Sequence, residues 1–393
     1  MGNALISRRG GGYAKIEFDN YTPSNAALDR LDITVTPLSV ARDGLVATTV
    51  GDYAIFAGGD ENDGSTAVTA IDAYNSNLVR FTPTKLESSY TCSAATTVGD
   101  YALFGSIYYI YVYNSNLVKC SNLYPGKERK IYAGTTAGNY AFFAGGADWT
   151  GSAMNYVEAY SSSLTRNELK DLSDKKCYLA GTTAGDYAIF AGGDDIGGLG
   201  ESSVDAYKSS NFVKSTCTNL STARINLAGT TAGDYAIFGG GNYEEVVDAY
   251  SKSLTKTSIT SLSVGGNYIS ATTIDNYAIF GAGYVDFRGS ATVEAYSSNL
   301  TKSTLTDLSD ARYDGAATTV GDYALFAGGD SNSTPSSSVV DAYGISGKIS
   351  IYRGSKYKFQ YMDSEVTATS DYDEINVPVP ITGYIEVKNV TYS

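Results

Sequence analysis

Along most of this chain apolar and polar residues alternate in short runs, each closed by a pair of turn-forming residues. The clearest run, Tyr53-Ala54-Ile55-Phe56, is entered through Gly51-Asp52 and left through Gly58-Gly59, and nearly the same wording returns behind Tyr101, Tyr140, Tyr187, Tyr235, Tyr277 and Tyr323. Alternation with period two over so few residues predicts β-strands. A second run, Ile71-Asp72-Ala73-Tyr74, follows the first after a gap and recurs as Val157-Glu158-Ala159-Tyr160, Val204-Asp205-Ala206-Tyr207, Val247-Asp248-Ala249-Tyr250, Val293-Glu294-Ala295-Tyr296 and Val340-Asp341-Ala342-Tyr343. Each unit resolves into four strands. Strand a ends in a Thr-Thr pair such as Thr48-Thr49, b is the Tyr-Ala-Ile-Phe run, c ends in Asp-Ala-Tyr, and d is rich in Thr and Leu. Four short strands repeating every ~40–50 residues are the signature of a propeller blade. Seven units predict an all-β fold, a seven-bladed β-propeller with four-stranded blades.

The spacings separate the loops. From the first Thr of each pair to the strand-b tyrosine is always five residues, and from the strand-c tyrosine to the next Thr-Thr it is 22 residues in every unit but one, where it is 23. From the strand-b phenylalanine to the strand-c tyrosine the gap runs from 9 to 18 residues. Length variation therefore concentrates in the b–c loop. Consecutive turns alternate faces, so b–c and d–a loops share one face and a–b and c–d turns the other. Variable loops on a fixed scaffold are where recognition concentrates. The seventh unit stops after Tyr343 without a strand d, and Thr34, Thr36, Leu38, Ser39, Ala41 and Arg42 match Thr304, Thr306, Leu308, Ser309, Ala311 and Arg312 at constant offset. Residues 31–37 are therefore expected to close the ring beside the Val340–Tyr343 strand, covering its free edge. Both chain ends then leave on the a–b/c–d face. The expected division is an N-terminal arm, 1–29, flexible or bound to a partner; the propeller, 30–343; and a small β-rich C-terminal unit, 344–393. Within that unit a hairpin is expected over 348–361, turning at Arg353-Gly354-Ser355, with further strands at 366–369, 377–381 and 384–390.

Composition narrows the chemistry. The 393 residues carry a net charge of −14, which disfavours nucleic acid and anionic membranes as partners. No run of 18 apolar residues and no signal-peptide core is present. The chain has no histidine, which removes His-based acid–base chemistry, Ser-His and Cys-His nucleophiles and most zinc, copper and iron sites. No cofactor and no metal is expected. Cys92, Cys120, Cys177 and Cys217 share no neighbouring ladder positions and read as free thiols.

The Gly-Gly after strand b, the later tyrosine and a basic residue before strand a together resemble Kelch repeats over residues 30–343, although the strand-d tryptophan usual in that family is missing and blades two and six break the double glycine at Gly105-Ser106-Ile107 and Gly281-Ala282-Gly283. The wording of the repeats also resembles that in phage- and prophage-encoded proteins of gut bacteria.

Three sets of side chains are candidates for function. The position before strand a is Arg42, Tyr90, Arg129, Lys176, Arg224, Gly266 and Arg312, so five basic residues ring the central mouth. Kelch domains of this kind can bind acidic partners with such arginines, and an anion-binding funnel is one reading. Structural ion pairs with the strand-c acids are the other, favoured because blade two loses base and acid together, at Tyr90 and Tyr111. Blade six keeps Glu294 but has Gly266 and fits neither. Acidic clusters open two b–c loops, Asp60, Glu61 and Asp63 in the first and Asp194 with Asp195 in the fourth, and Asp330 opens the last. Their spacing matches no calcium loop. Trp149, Tyr243, Tyr284 and Phe287 are aromatics on the variable loops, suited to sugar rings or to hydrophobic anchors of a protein partner. The tyrosines of strands b and c are expected in the core.

These readings converge on a non-enzymatic interaction module. The b–c loop face would bind a host-surface glycan or protein, while the arm and the C-terminal unit hold virion or surface assembly proteins. The repeat resemblance implies a phage tail or baseplate, released by lysis; the bacterial cytoplasm is the alternative location. A purely structural virion or scaffold protein and a carbohydrate-active enzyme without histidine are the competing functions.

Overall fold

A computed structural model describes residues 27–352 apart from 62–65, 88–91, 196 and 332–335, together with the backbone of strands at 3–9, 13–21, 356–361, 364–368, 372–378 and 381–388. The described residues contain no helix. By contacts the chain divides into two units, Val35–Asp341 and a second formed by Met1–Thr34 with Ala342–Ser393.

The first unit is the propeller. Five blades are antiparallel sheets in the order a-b-c-d, as in Ala228–Ala232, Tyr235–Gly239, Val247–Ser251 and Lys256–Ser258 of blade five. Blade two has strands a to c only, Ala94–Val98, Tyr101–Gly105 and Ile110–Asn114; its fourth strand shrinks to two isolated bridges, Tyr113↔Lys119 and Ile110↔Leu123. In the seventh sheet the order is Ala27–Arg30, Val340–Tyr352, Tyr323–Ala327, Ala316–Val320. The closing strand thus lies at 27–30, pairing Arg30 with Tyr343 and Ala27 with Ser346, upstream of the expected 31–37. The repeat register resumes at Leu38, whose N–H donates to Ser338 O (2.8 Å) as Leu308 donates to Ala291 O (2.8 Å).

Each blade packs through the same contacts. The strand-b phenylalanine meets the strand-c tyrosine edge to face, Phe238 and Tyr250 with ring centroids 6.0 Å apart. That tyrosine is buried, and its hydroxyl donates to a linker carbonyl: Tyr74 to Thr36 O, Tyr207 to Lys170 O and Tyr250 to Thr218 O, all at 2.8 Å. The strand-b tyrosines differ from expectation. Six are only half-buried and Tyr323 alone is in the core, because they sit at the strand end beside the exposed a–b turn. Gly59 shows why strand b is followed by glycine: at φ +100, a Cβ there would collide with the carbonyl oxygen of Asp43.

The Thr-Thr pairs form a belt around the axis. Thr97, Thr136, Thr183, Thr231 and Thr273 each donate Oγ1–H to the backbone oxygen of the second threonine of the preceding blade, at 2.5–3.1 Å. Thr49 does the same to Thr319 O, across the junction of the last blade and the first.

In the second unit one sheet runs Asn3–Arg9, Tyr13–Tyr21, Ile381–Lys388, Lys356–Tyr361, Ser364–Ala368. Within residues 1–29, expected as an arm, Asn3–Arg9 pairs with Tyr13–Tyr21. One expectation is overturned, for the 348–361 hairpin does not form: Val340–Tyr352 pairs with Tyr372–Pro378, while Lys356–Tyr361 pairs with Ser364–Ala368 and Ile381–Lys388. The strand expected at 377–381 is divided between Tyr372–Pro378 and Ile381–Lys388. The partners lie far apart in sequence, out of sight of a reading that pairs neighbours across local turns.

Candidate functional site

The basic ring is consumed by structure. Arg42, Arg129, Arg224 and Arg312 are 0–1% exposed, each in an ion pair with the strand-c acid of its own blade: Asp72 (2.9 Å), Glu158 (3.0 Å), Asp248 (2.7 Å) and Asp341 (2.7 Å). Burial pushes the Arg42 and Arg224 guanidinium groups down, and the facing Asp72 and Asp248 push them back. The acids are also capped from the linker entering the same blade. Ser173, Ser221 and Ser263 each donate both N–H and Oγ–H, to Asp205, Asp248 and Glu294. Lys176 departs from the pattern. Its Nζ donates to Ser203 O (3.1 Å) and Ser203 Oγ (2.7 Å), while Asp205 takes Lys214 instead (3.0 Å). Blade six also becomes intelligible. Glu294 keeps its Ser263 cap and pairs with Lys302 at 2.7 Å; Val285 leans toward Gly266, leaving a cavity of about 10 Å³ where a guanidinium would lie. That is room for a single water. Tyr90 lies outside the described residues.

With the arginines withdrawn, the mouth is lined by residues just downstream of them. Four residues before the Thr-Thr pair of five blades stand Gly44, Tyr178, Asn226, Tyr268 and Asp314, all with left-handed backbone. Asn226 N–H donates to Tyr178 O, Tyr268 N–H to Asn226 O, Asp314 N–H to Tyr268 O and Gly44 N–H to Asp314 O, at 2.8–3.2 Å, so these residues form an arc of collar. A cavity of about 290 Å³ opens within it, with Asp43, Asp60, Asp314, Lys130 and Tyr132 on its wall. Tyr132 and Tyr178 pack with centroids 4.5 Å apart. No residue type marks this set in the sequence; its signal is the four-residue spacing to the Thr-Thr pair, shared by five blades.

Burial, and then repulsion from Asp43, push Asp314 up to about 6, with Lys130 opposing. Burial also raises Asp60. A carboxyl with a raised folded-state pKa favours the folded protein while it stays protonated, and that advantage is lost as pH rises through about 6. Asp314→Asn is therefore expected to raise the melting temperature at pH 8 and to leave it nearly unchanged at pH 4, in paired thermal scans. An equal gain at both values would contradict this account.

The outer b–c loops carry a second feature. Trp149 (79% exposed), Leu199 (85%), Tyr243 (52%) and Phe287 (87%) stand on the b–c loops of blades three, four, five and six in turn. Trp149 is presented by a turn in which Asp148 Oδ1 accepts from Thr150 N–H (2.8 Å) and Ser152 N–H (3.0 Å); the Thr150 hydroxyl, foremost, holds this carboxylate below its usual range. Tyr243 (φ 63) and Phe287 (φ 62) occupy left-handed backbone, which costs a bulky L-residue about 1–2 kcal/mol. Tyr284 is half-buried and links the others, with ring centroids 6.3 Å from Tyr243, 6.5 Å from Phe287 and 4.6 Å from Tyr313.

The acidic loop residues separate. Asp194 is buried, its carboxylate accepting from Gly198 N–H (2.9 Å), so it shapes its loop and does not face a ligand. Asp195 is exposed and accepts from Gly197 N–H (3.1 Å). Asp60 and Glu61 are half-buried, and Asp330 accepts from the Tyr313 hydroxyl. Asp63 lies outside the described residues. No group of three or more Cys, Asp or Glu side chains could hold a metal among the described residues. Burial raises the Cys92 thiol to about 12 and those of Cys177 and Cys217 to about 11, so none is a ready thiolate.

No family model and no curated protein matches this sequence. Among solved structures the chain is similar to YjhT, with a TM-score of 0.51 and 12% identity over 78% of this chain and 95% of that one. At that identity the likeness speaks for the fold alone, a seven-bladed β-propeller.

Proposed function

We propose that the chain is a non-enzymatic interaction module whose b–c loop face docks on a surface partner, a host glycan or protein. One observation carries the reading: the exposed large apolar side chains Trp149, Leu199, Tyr243 and Phe287 stand on one face of four consecutive blades. Exposed apolar groups gathered this way mark contact surfaces, and Trp and Tyr dominate binding hot spots. The scaffold beneath is built for rigidity, through buried ion pairs and the threonine belt. The net charge of −14 favours neither nucleic acid nor an anionic membrane. On the Kelch-like wording of the repeats and their resemblance to phage and prophage repeats, we assign the module to a virion, on a tail or baseplate, with residues 1–29 and 344–393 attaching it to neighbouring proteins. Many copies on one particle convert weak single contacts into firm attachment.

Adsorption of the labelled protein to a panel of gut anaerobes tests the reading. The triple variant Trp149→Ala, Leu199→Ala, Phe287→Ala is expected to lose at least ~10-fold in bound protein, since one hot-spot truncation costs about 2 kcal/mol, with the melting temperature unchanged. Unaltered adsorption, or cross-links joining these loops to neighbouring subunits in the assembled particle, would overturn it.

A further inference from the structure

We infer that the groove over blades six and seven binds a neutral oligosaccharide, with Tyr284, Phe287 and Tyr313 offering stacking faces and Arg288 and Asp330 offering hydrogen-bonding groups. The inference rests on the b–c face being the binding face, and names a site and a ligand class there. The open groove, of about 510 Å³, is lined by these five residues and by Ser331, which is buried. That volume lies in the range of about 300–1,000 Å³ typical of small-molecule sites.

Three observations converge. First, the rings form an unbroken row from the loop tips to the mouth: Tyr243 touches Tyr284, Tyr284 touches both Phe287 and Tyr313, and Tyr313 reaches Tyr268 with centroids 6.4 Å apart. A continuous aromatic surface suits a chain of rings. Second, the aromatics at the tips are held against the preference of their turns. Asp286 (φ 46) and Phe287 (φ 62) form the two-residue turn between Tyr284–Val285 and Arg288–Gly289, where glycine is the residue of choice at the second position. Phe287 nevertheless occupies it and is 87% exposed, so it recovers almost nothing by burial. In the adjacent blade Asn242 (φ 51) and Tyr243 (φ 63) repeat the arrangement. Backbone strain that the fold itself does not need points to function. Third, polar groups stand beside the rings. Arg288 is exposed with no ion pair among the described residues, and the Tyr313 hydroxyl orients the Asp330 carboxylate. A sugar ring has one apolar C–H face and an edge of hydroxyls that both donate and accept, and so satisfies rings and polar groups together. A wholly aliphatic ligand would strip water from the Arg288 guanidinium and return no acceptor to it.

The full-length chain is screened on an array of neutral oligosaccharides, and binders are titrated by calorimetry. At least one oligosaccharide is expected to bind near the millimolar range. Phe287→Gly should weaken it at least ~10-fold with no fall in melting temperature, because glycine relieves the turn. Arg288→Ala should also weaken it, and Val118→Ala, on the exposed c–d turn of blade two, should not. No binding up to about 10 mM, well past the millimolar range in which such contacts fall, or binding indifferent to both groove variants, overturns the assignment. If cells are still bound through Trp149 and Leu199 while the array is blank, the oligosaccharide site falls and the docking face stands; if both assays are blank, both fall.

Discussion

Asp248→Ala is expected to destabilise the propeller by about 3–5 kcal/mol, because it leaves a buried guanidinium without its counter-charge. Arg224 is 0% exposed, donates to Asp248 Oδ2 at 2.7 Å and spans the blade to Gly240 O (3.0 Å) and Val246 O (2.5 Å). Asp248 also accepts from Ser221 N–H (3.1 Å) and Ser221 Oγ (2.6 Å) and meets Lys256 at 3.1 Å. One substitution thus strips a linker cap, a strand-d lysine and the arginine at once. The apolar pair Arg224→Met with Asp248→Leu should regain much of the loss, since buried ion pairs replaced whole are often neutral. Asp234→Ala, which breaks the Lys252–Asp234 pair exposed on both sides, should leave the midpoint nearly unchanged. Urea unfolding midpoints of the three variants check the order. An Asp248→Ala shift no larger than the Asp234→Ala control would refute the account.

Deleting residues 1–40 is expected to yield aggregated protein. The deletion removes the strand Ala27–Arg30, which covers 343–346 by direct pairing. It also removes the buried side chains of Val35 and Leu38, worth about 1.5–3 kcal/mol each. Ser39, whose N–H and Oγ hold Asp72 at 3.0 and 3.1 Å, and Thr36 O, the acceptor of the Tyr74 hydroxyl at 2.8 Å, go with it. Size-exclusion chromatography and circular dichroism of the truncated chain decide the matter. A monomeric product with native melting behaviour would show that the ring closes without this segment.

The parts of the molecule that repeat were the parts legible in sequence. A phenylalanine, a tyrosine, an acid and a Gly-Gly returning at fixed spacing prescribe one blade, and seven copies prescribe the ring. The site was less legible. The joint loss of base and acid in blade two pointed to structural ion pairs for Arg42, Arg129, Arg224 and Arg312, and each guanidinium does rest on the strand-c acid of its own blade. The collar from Tyr178 to Asp314 was missed because its members share a backbone conformation and a spacing but no residue type. Outside the repeat, 348–361 was assigned to a local hairpin although its strands pair with segments distant in sequence, which no short-range turn signal announces.

The threonine belt runs in one sense only. The hydroxyls of Thr49, Thr97, Thr136, Thr183, Thr231 and Thr273 give their protons to the blade behind, and the bond from Thr49 to Thr319 carries the same sense across the point where the two ends of the repeat meet. A directed series of this kind fits each blade to the next, so that gain or loss of one repeat by recombination would interrupt it. Exchange of a b–c loop between blades, at the far end of the strands, leaves every one of these bonds in place. Inheritance in such a chain is therefore expected to be uneven: the number of blades holds constant across descendants, while the loops that meet a partner can be shuffled, lengthened or replaced one at a time.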